Sequence, residues 1–202
     1  MKRFAAHLLW PSSCPFCGAL GEAACVKCLL PLLKPPLPAD LGGAPHEAGG
    51  LHEGLLRELV LELKYSRNRP LGIAMGRALG RIFPAPECDI IIPVPLHRES
   101  DRGYNQSMAL AKGISMEWKI PAAEGLRWSR ARAAQTSLHE KERKEMPADA
   151  IEGRGNLAEG RRVVLMDDVS TTGATLAAAI RGIKRAGGRT VLSVTWTIVP
   201  RT

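Results

Sequence analysis

Residues 163–176 read VVLMDDVSTTGATL, and this stretch decides the fold. A buried strand over residues 162–166, with an uninterrupted apolar run at 163–166, leads into two adjacent carboxylates, Asp167 and Asp168, and a hydroxyl-rich turn. A helical apolar pattern follows over residues 173–186. An apolar run without polar alternation marks a strand buried on both faces. Strand, turn and helix in that order imply an α/β fold, a parallel sheet flanked by helices. The expected loop, residues 167–172 and the start of the helix, suits a phosphate monoester. That anion needs donors converging from beyond the strand ends. The amides of Thr171, Thr172, Gly173, Ala174 and Thr175 at a helix N-terminus supply them, with Gly173 permitting close approach. Asp167 and Asp168 are expected to face a ribose and to accept hydrogen bonds from its hydroxyls or from magnesium-bound water. The stretch lacks the Lys of a nucleotide-hydrolysing P-loop, which disfavours that chemistry. An ordinary strand-to-helix turn with Ser170 or Thr171 as N-cap is the plainer alternative. It gives no reason for two carboxylates at the end of a buried strand.

Working outward, residues 190–199 read as another strand and residues 89–94 as a short buried strand bounded by prolines, followed by a helix over about residues 105–114. Leu55, Leu56, Leu59, Val60 and Leu63 form the stripe of an earlier helix that ends near Lys64. A second helix follows Pro70 and is stopped by Pro84 and Pro86. Its Gly72, Gly76 and Gly80 are spaced for close contact with a neighbouring helix. Residues 31–50, rich in Pro and Gly, read as a linker, so a division into residues 1–40 and 41–202 is expected. Residues 129–144 are polar and weakly periodic and read as mobile.

Four of the five cysteines, Cys14, Cys17, Cys25 and Cys28, form C-x2-C-x7-C-x2-C, and the first pair sits in the knuckle CPFCG. Four soft ligands at this spacing suit a tetrahedral structural Zn²⁺ in a small N-terminal module. Cys88, beside a buried strand, reads as packing.

The 202 residues carry 28 Lys and Arg against 20 Asp and Glu, a formal charge of +8. This favours phosphate-bearing partners and equally serves solubility. The first ten residues lack the small-residue cleavage site of a secretory signal. No stretch approaches the ~18 consecutive apolar residues of a membrane span, so a cytoplasmic protein is expected. With aromatics at 4%, no stacking platform for single-stranded nucleic acid is visible.

Two segments carry a family resemblance. Asp167, Asp168, Thr171, Thr172, Gly173 and Thr175 match D-D-x-x-T-T-G-x-T, the phosphoribosyl pyrophosphate (PRPP) signature of type I phosphoribosyltransferases. IIPVPLHRESDRGYNQS, residues 91–107, resembles the P-V-P-L…R-G-[FY]-N-Q segment of the competence protein F (ComF) family, and Lys64 and Tyr65 fit that family's L-K-Y element. The resemblance implies that Pro95, Leu96, His97 and Arg98 hold pyrophosphate, and that the R-x-x-Q…R stretch at Arg132, Gln135 and Arg143 covers the substrate. Met146 stands where the family usually has Asn. It implies two functions, which stay open at this point. One is Mg²⁺-dependent transfer of a phosphoribosyl group from PRPP to a nitrogen nucleophile, or the reverse, with Asp167 and Asp168 as catalytic residues. The other is a non-catalytic competence protein that binds single-stranded DNA or a phosphorylated ligand during DNA uptake, alongside other DNA-uptake proteins.

Overall fold

The computed structural model describes residues 13–96, 103–129, 147 and 149–199. Among the described residues the strands are β1 (Ala39–Asp40), β2 (Pro45–Ala48), β3 (Ile90–Pro93), β4 (Leu126–Trp128), β5 (Ile151–Gly153), β6 (Arg162–Ser170) and β7 (Arg189–Ile198). The helices are a single turn α1 (Val26–Leu29), then α2 (Gly54–Tyr65), α3 (Arg69–Ile82), α4 (Gln106–Trp118) and α5 (Ala174–Arg185). The main sheet runs β1-β2-β7-β6-β3. Its β2–β7, β7–β6 and β6–β3 pairings are parallel, and only β1 is antiparallel.

The two-sided burial expected of β6 is realised by its side-chain alternation. Val164 and Met166 enter the core that α2, α3 and α4 cover, while Val163 and Leu165 enter the core under α5. β3 divides likewise, Ile91 to the first core and Ile90 and Ile92 to the second. β7 differs: Leu192, Val194 and Trp196 are apolar, but Ser193, Thr195 and Thr197 between them are buried hydroxyls. His46 of β2 meets that polar face, with Nδ1 3.0 Å from Ser193 Oγ and Nε2 3.3 Å from Thr195 Oγ1.

Three expectations need correction. β6 continues through the segment read as a loop. Asp167 pairs with Thr195, Val169 with Thr197 and Ser170 with Ile198, because β7 extends alongside and supplies a ladder partner. Residues 31–50 are not a plain linker, since β1 and β2 lie within them and β2 is a sheet strand beside β7. Gly49 and Gly50 serve close packing there, for a Cβ would press on the Trp196 carbonyl at the first and on Leu56 Cδ1 at the second. Finally, α4 runs on to Trp118, whose indole N–H donates to the carbonyls of Gly80 and Phe83 at 3.0 and 3.1 Å. The stretch 129–144 lies outside the described residues from 130 onward.

The glycine spacing in α3 does allow close helix contact. A Cβ on Gly76 would overlap the Leu110 carbonyl of α4, and one on Gly113 of α4 would overlap the Ile73 carbonyl of α3. Gly113→Ala gains about 1 kcal/mol of helix propensity. Forcing two backbones apart costs about 1–3 kcal/mol or more, so a net loss of stability is expected. A denaturant titration should show a lower midpoint at unchanged slope, and a midpoint at or above that of the unaltered protein contradicts the close crossing.

Candidate functional site

The carboxylates sit at the C-terminal edge of the parallel sheet, where ligands of open α/β folds bind. β6 lies between β3 and β7, but β3 ends opposite Met166, so the last residues of β6, from Asp167 to Ser170, run on beside β7 alone. Beyond Ser170 the chain turns through exposed Thr171 and Thr172 to Gly173, which has φ 75° and ψ 0° and stands at the N-cap of α5. That left-handed conformation is open to glycine and strained for other residues. It starts α5 a short turn beyond the strand that carries the carboxylates, and the first-turn N–H groups of that helix lack helical partners. Thr172 Oγ1 accepts from the Ala174 N–H at 3.3 Å. Ser170, 2% exposed, has a hydroxyl without a hydrogen-bond partner among the described residues.

The two carboxylates differ in environment. Asp167 is buried, and its Oδ1 accepts from Ser107 Oγ and from the Asp168 N–H, both at 2.8 Å. Burial, and then the charge of Asp168, push its carboxyl up to about 7, against the pull of those two donors. Asp168 is partly buried and pairs with Lys64 Nζ at 3.0 Å. Lys64 is carried by the last turn of α2. His52 stands nearby, its Nδ1 2.9 Å from Thr197 Oγ1, and burial followed by the charges of Lys64 and Arg57 lowers its pKa.

The R-G-Y-N-Q segment builds this arrangement through its structural contacts. The Tyr104 hydroxyl donates to the Leu63 carbonyl and so fixes the turn beside Lys64. Asn105 caps α4 by accepting from the Met108 N–H at 3.4 Å, and its Nδ2 donates to the Val94 carbonyl at 2.9 Å. Ser107, in the first turn of α4, reaches Asp167. Pro95 and Leu96 line a cleft of about 360 Å³ with Pro93, Tyr104, Leu126 and Trp128. The Trp128 N–H donates to the Pro95 carbonyl at 3.1 Å, joining this loop to the small β4–β5 sheet. His97, Arg98, Arg102, Arg132, Gln135, Arg143 and Met146 lie outside the described residues. The sequence reading missed Ser107 and His52. Ser107 adjoins the matched N-Q pair and sits where a helix's first turn exposes polar groups, a usable signal. His52 carries none, since Thr197 meets it only once β7 is placed.

The cysteines converge. The Gly18 N–H donates to the Cys14 carbonyl at 2.8 Å and the Cys14 N–H to the Ala19 carbonyl at 2.9 Å, closing the knuckle, while Cys25 and Cys28 lie one helical turn apart at α1. All four sulfurs fall within 4.8 Å of one another. Four sulfurs around a tetrahedral zinc lie about 3.8 Å apart, given a Zn–S bond of about 2.3 Å, so the seven-residue gap fits such a site. Burial raises the Cys14 thiol, but N–H donors from Cys25, Phe16 and Cys17 bring it down to about 6, on the way to the thiolate a metal needs. Cys25 is pushed up to about 12 by its hydrogen bond with Cys17, so its proton must leave when metal enters.

No protein-family model matches the chain. It is 32% identical over 192 residues to DNA utilization protein YhgH of Shigella flexneri, covering 88% of this chain and 80% of that protein. It is 31% identical over 100 residues to competence protein ComFC of Bacillus subtilis, covering 48% of this chain and 39% of the other. Among solved structures, adenine phosphoribosyltransferase from Leishmania donovani is similar at 19% identity and a TM-score of 0.43, over 74% of this chain and 70% of that one. Among the described residues, no helix is long and apolar enough to cross a membrane.

Proposed function

The chain belongs to the ComF family, which its relatives YhgH and ComFC represent, and on that premise we propose that it binds PRPP with Mg²⁺ and moves the phosphoribosyl group to or from a nitrogen nucleophile. The observation that carries this reading is the junction of β6 and α5, where a strand bearing two adjacent carboxylates passes through a short turn and a left-handed Gly173 into a helix N-terminus. The amides and hydroxyls of residues 171–175 would take the 5′-phosphate. Asp168, the more accessible carboxylate, would accept from the ribose hydroxyls, with Asp167 behind it. Pro95, Leu96, His97 and Arg98 would adjoin the pyrophosphate. The cleft lined by Pro93, Tyr104, Leu126 and Trp128, with Asn105, Glu124 and Arg127 as its polar members, would suit a flat acceptor. Breaking the bond from the anomeric carbon to pyrophosphate while the new bond to nitrogen forms gives that carbon cationic character, so catalysis would be positioning and electrostatics. Hard carboxylate oxygens and the unpartnered Ser170 hydroxyl fit a magnesium-diphosphate ligand, in which Mg²⁺ would offset the diphosphate charge. The four cysteines would hold one structural Zn²⁺, and a cytoplasmic location would keep their thiols reduced.

Calorimetric titration with PRPP and Mg²⁺, followed by a screen of acceptor bases for pyrophosphate release, tests this reading. Asp167→Asn with Asp168→Asn is expected to remove Mg²⁺-dependent PRPP binding, and unchanged affinity in that double variant overturns the assignment.

The similarity to a protein named for DNA utilization favours a second reading, in which the basic chain binds single-stranded DNA or another phosphorylated ligand without catalysis, together with DNA-uptake proteins. Binding through phosphates at the Arg- and Lys-rich stretch 130–144 would weaken with salt. For about four or five contacts the log-log slope is near −3, from ~0.7 counterions released per contact. Anisotropy that finds no single-strand binding even at low salt removes the DNA-binding form of this reading.

A further inference from the structure

We propose that Lys64 is the resident counter-cation of the strand-end carboxylates, a positioning residue that keeps a free divalent ion off Asp168. This inference rests on the phosphate-site reading above.

Lys64 Nζ lies 3.0 Å from Asp168 Oδ2, with the two side chains 22% and 13% exposed. A Lys in the last turn of a helix needs no explanation beyond the macrodipole. The dipole does not require that the ammonium leave solvent to meet a carboxylate at the end of a distant strand. This pair is partly buried, where an unmatched charge costs far more than at the surface.

One short stretch of chain holds the turn that carries the cation and one of the carboxylates. Tyr104 donates to the carbonyl of Leu63, the residue before Lys64, and Ser107 donates to Asp167. The start of α4 thus fixes the turn that carries the cation and, three residues on, one of the two anions. The pairing is built in from two directions.

Two neighbouring carboxylates are a ready ligand set for a hard divalent cation. With an ammonium at hydrogen-bond distance from one of their oxygens, an incoming Mg²⁺ meets like charge at that position. His52 adds no compensating negative charge, and burial, followed by the charges of Lys64 and Arg57, disfavours its protonation. A divalent ion already bound to a diphosphate arrives with its charge offset, and the ammonium can then also face the ligand's oxygens.

The test uses the zinc-loaded full chain without PRPP, with Mn²⁺ as a paramagnetic probe for Mg²⁺, followed by water-proton relaxation. Unaltered protein is expected to show no Mn²⁺ affinity at the carboxylates. Lys64→Met is expected to gain affinity by about tenfold or more, and Lys64→Arg to behave as the unaltered protein. Adding Asp168→Asn to Lys64→Met should abolish the gain. Lys64→Gln, which keeps a hydrogen-bond donor but no charge, serves as a second neutral variant should the Met form fold poorly. The proposal is overturned if unaltered protein binds Mn²⁺ as tightly as the neutral variants, if neither variant gains affinity, or if the gain survives Asp168→Asn. PRPP plays no part in this readout, so failure of the PRPP reading would appear separately, as absent PRPP binding by unaltered protein.

Discussion

Cys14→Ser with Cys25→Ser is expected to take zinc content from about one per chain to none and to cost at least ~4 kcal/mol, the range typical of losing a structural metal. For a chain of this size that is a drop of about 8–16 °C in the thermal midpoint. The effect should be global because the cysteine region is continuous with the main core: Ala24, Val26, Leu29 and Leu33 pack in the same cluster as Leu63, Met75 and Trp196. Without metal, four sulfurs held within 4.8 Å include a Cys14 that ionises near 6, and nothing apolar is gained by keeping them together. Metal analysis with a thermal melt decides the matter. Unchanged zinc and an unchanged midpoint would exclude the four-sulfur site.

Asp167→Asn is expected to stabilise the protein at pH 8 while leaving it near the unaltered level at pH 4. Burial and the neighbouring Asp168 raise the Asp167 carboxyl from 3.8 to about 7. Across that window the native state holds a proton that the unfolded chain has released, so stability falls as pH rises and the loss is complete above about 7. At about 1.4 kcal/mol per pKa unit, the upper bound is on the order of 4 kcal/mol. His46 works the other way. Its burial lowers its pKa from 6.5 to about 4, so between those values the unfolded chain binds the extra proton and stability rises with pH. In the unaltered protein the two slopes offset one another over most of the range from pH 4 to 6.5. In the Asn variant the histidine rise should remain, carried by His46 with His52 acting in the same direction. Urea titrations at pH 5, 6.5 and 8 separate the cases, and a variant that is destabilised equally at all three would show that Asp167 is ionised throughout. Because Asn keeps the Oδ1 that accepts from Ser107 and from the Asp168 N–H, the comparison isolates the charge.

The layered α/β fold was legible because its signals are local. An apolar run as short as residues 163–166 with no polar alternation must be buried on both faces, and prolines and glycines punctuate the chain on either side of the helices. The bounds that shifted were those set by a neighbour: β6 through the two aspartates because β7 runs beside it, and β2 because the other side of β7 offers it a ladder partner at Ser193, Val194 and Thr195. The β4–β5 pair was missed, as three-residue strands carry too little pattern to be read.

The sequence by itself determined the parallel sheet, the hydroxyl- and glycine-containing turn after β6 and the set of four cysteines, since each depends on residue types at close spacing. Only the tertiary structure decided that Asp168 meets Lys64, that Asp167 meets Ser107 across a separation of 60 residues, and that His46 meets Ser193 across 147. Strand order and register choose such partners. Those are settled jointly by burying all the apolar faces at once, so no single segment's periodicity contains them.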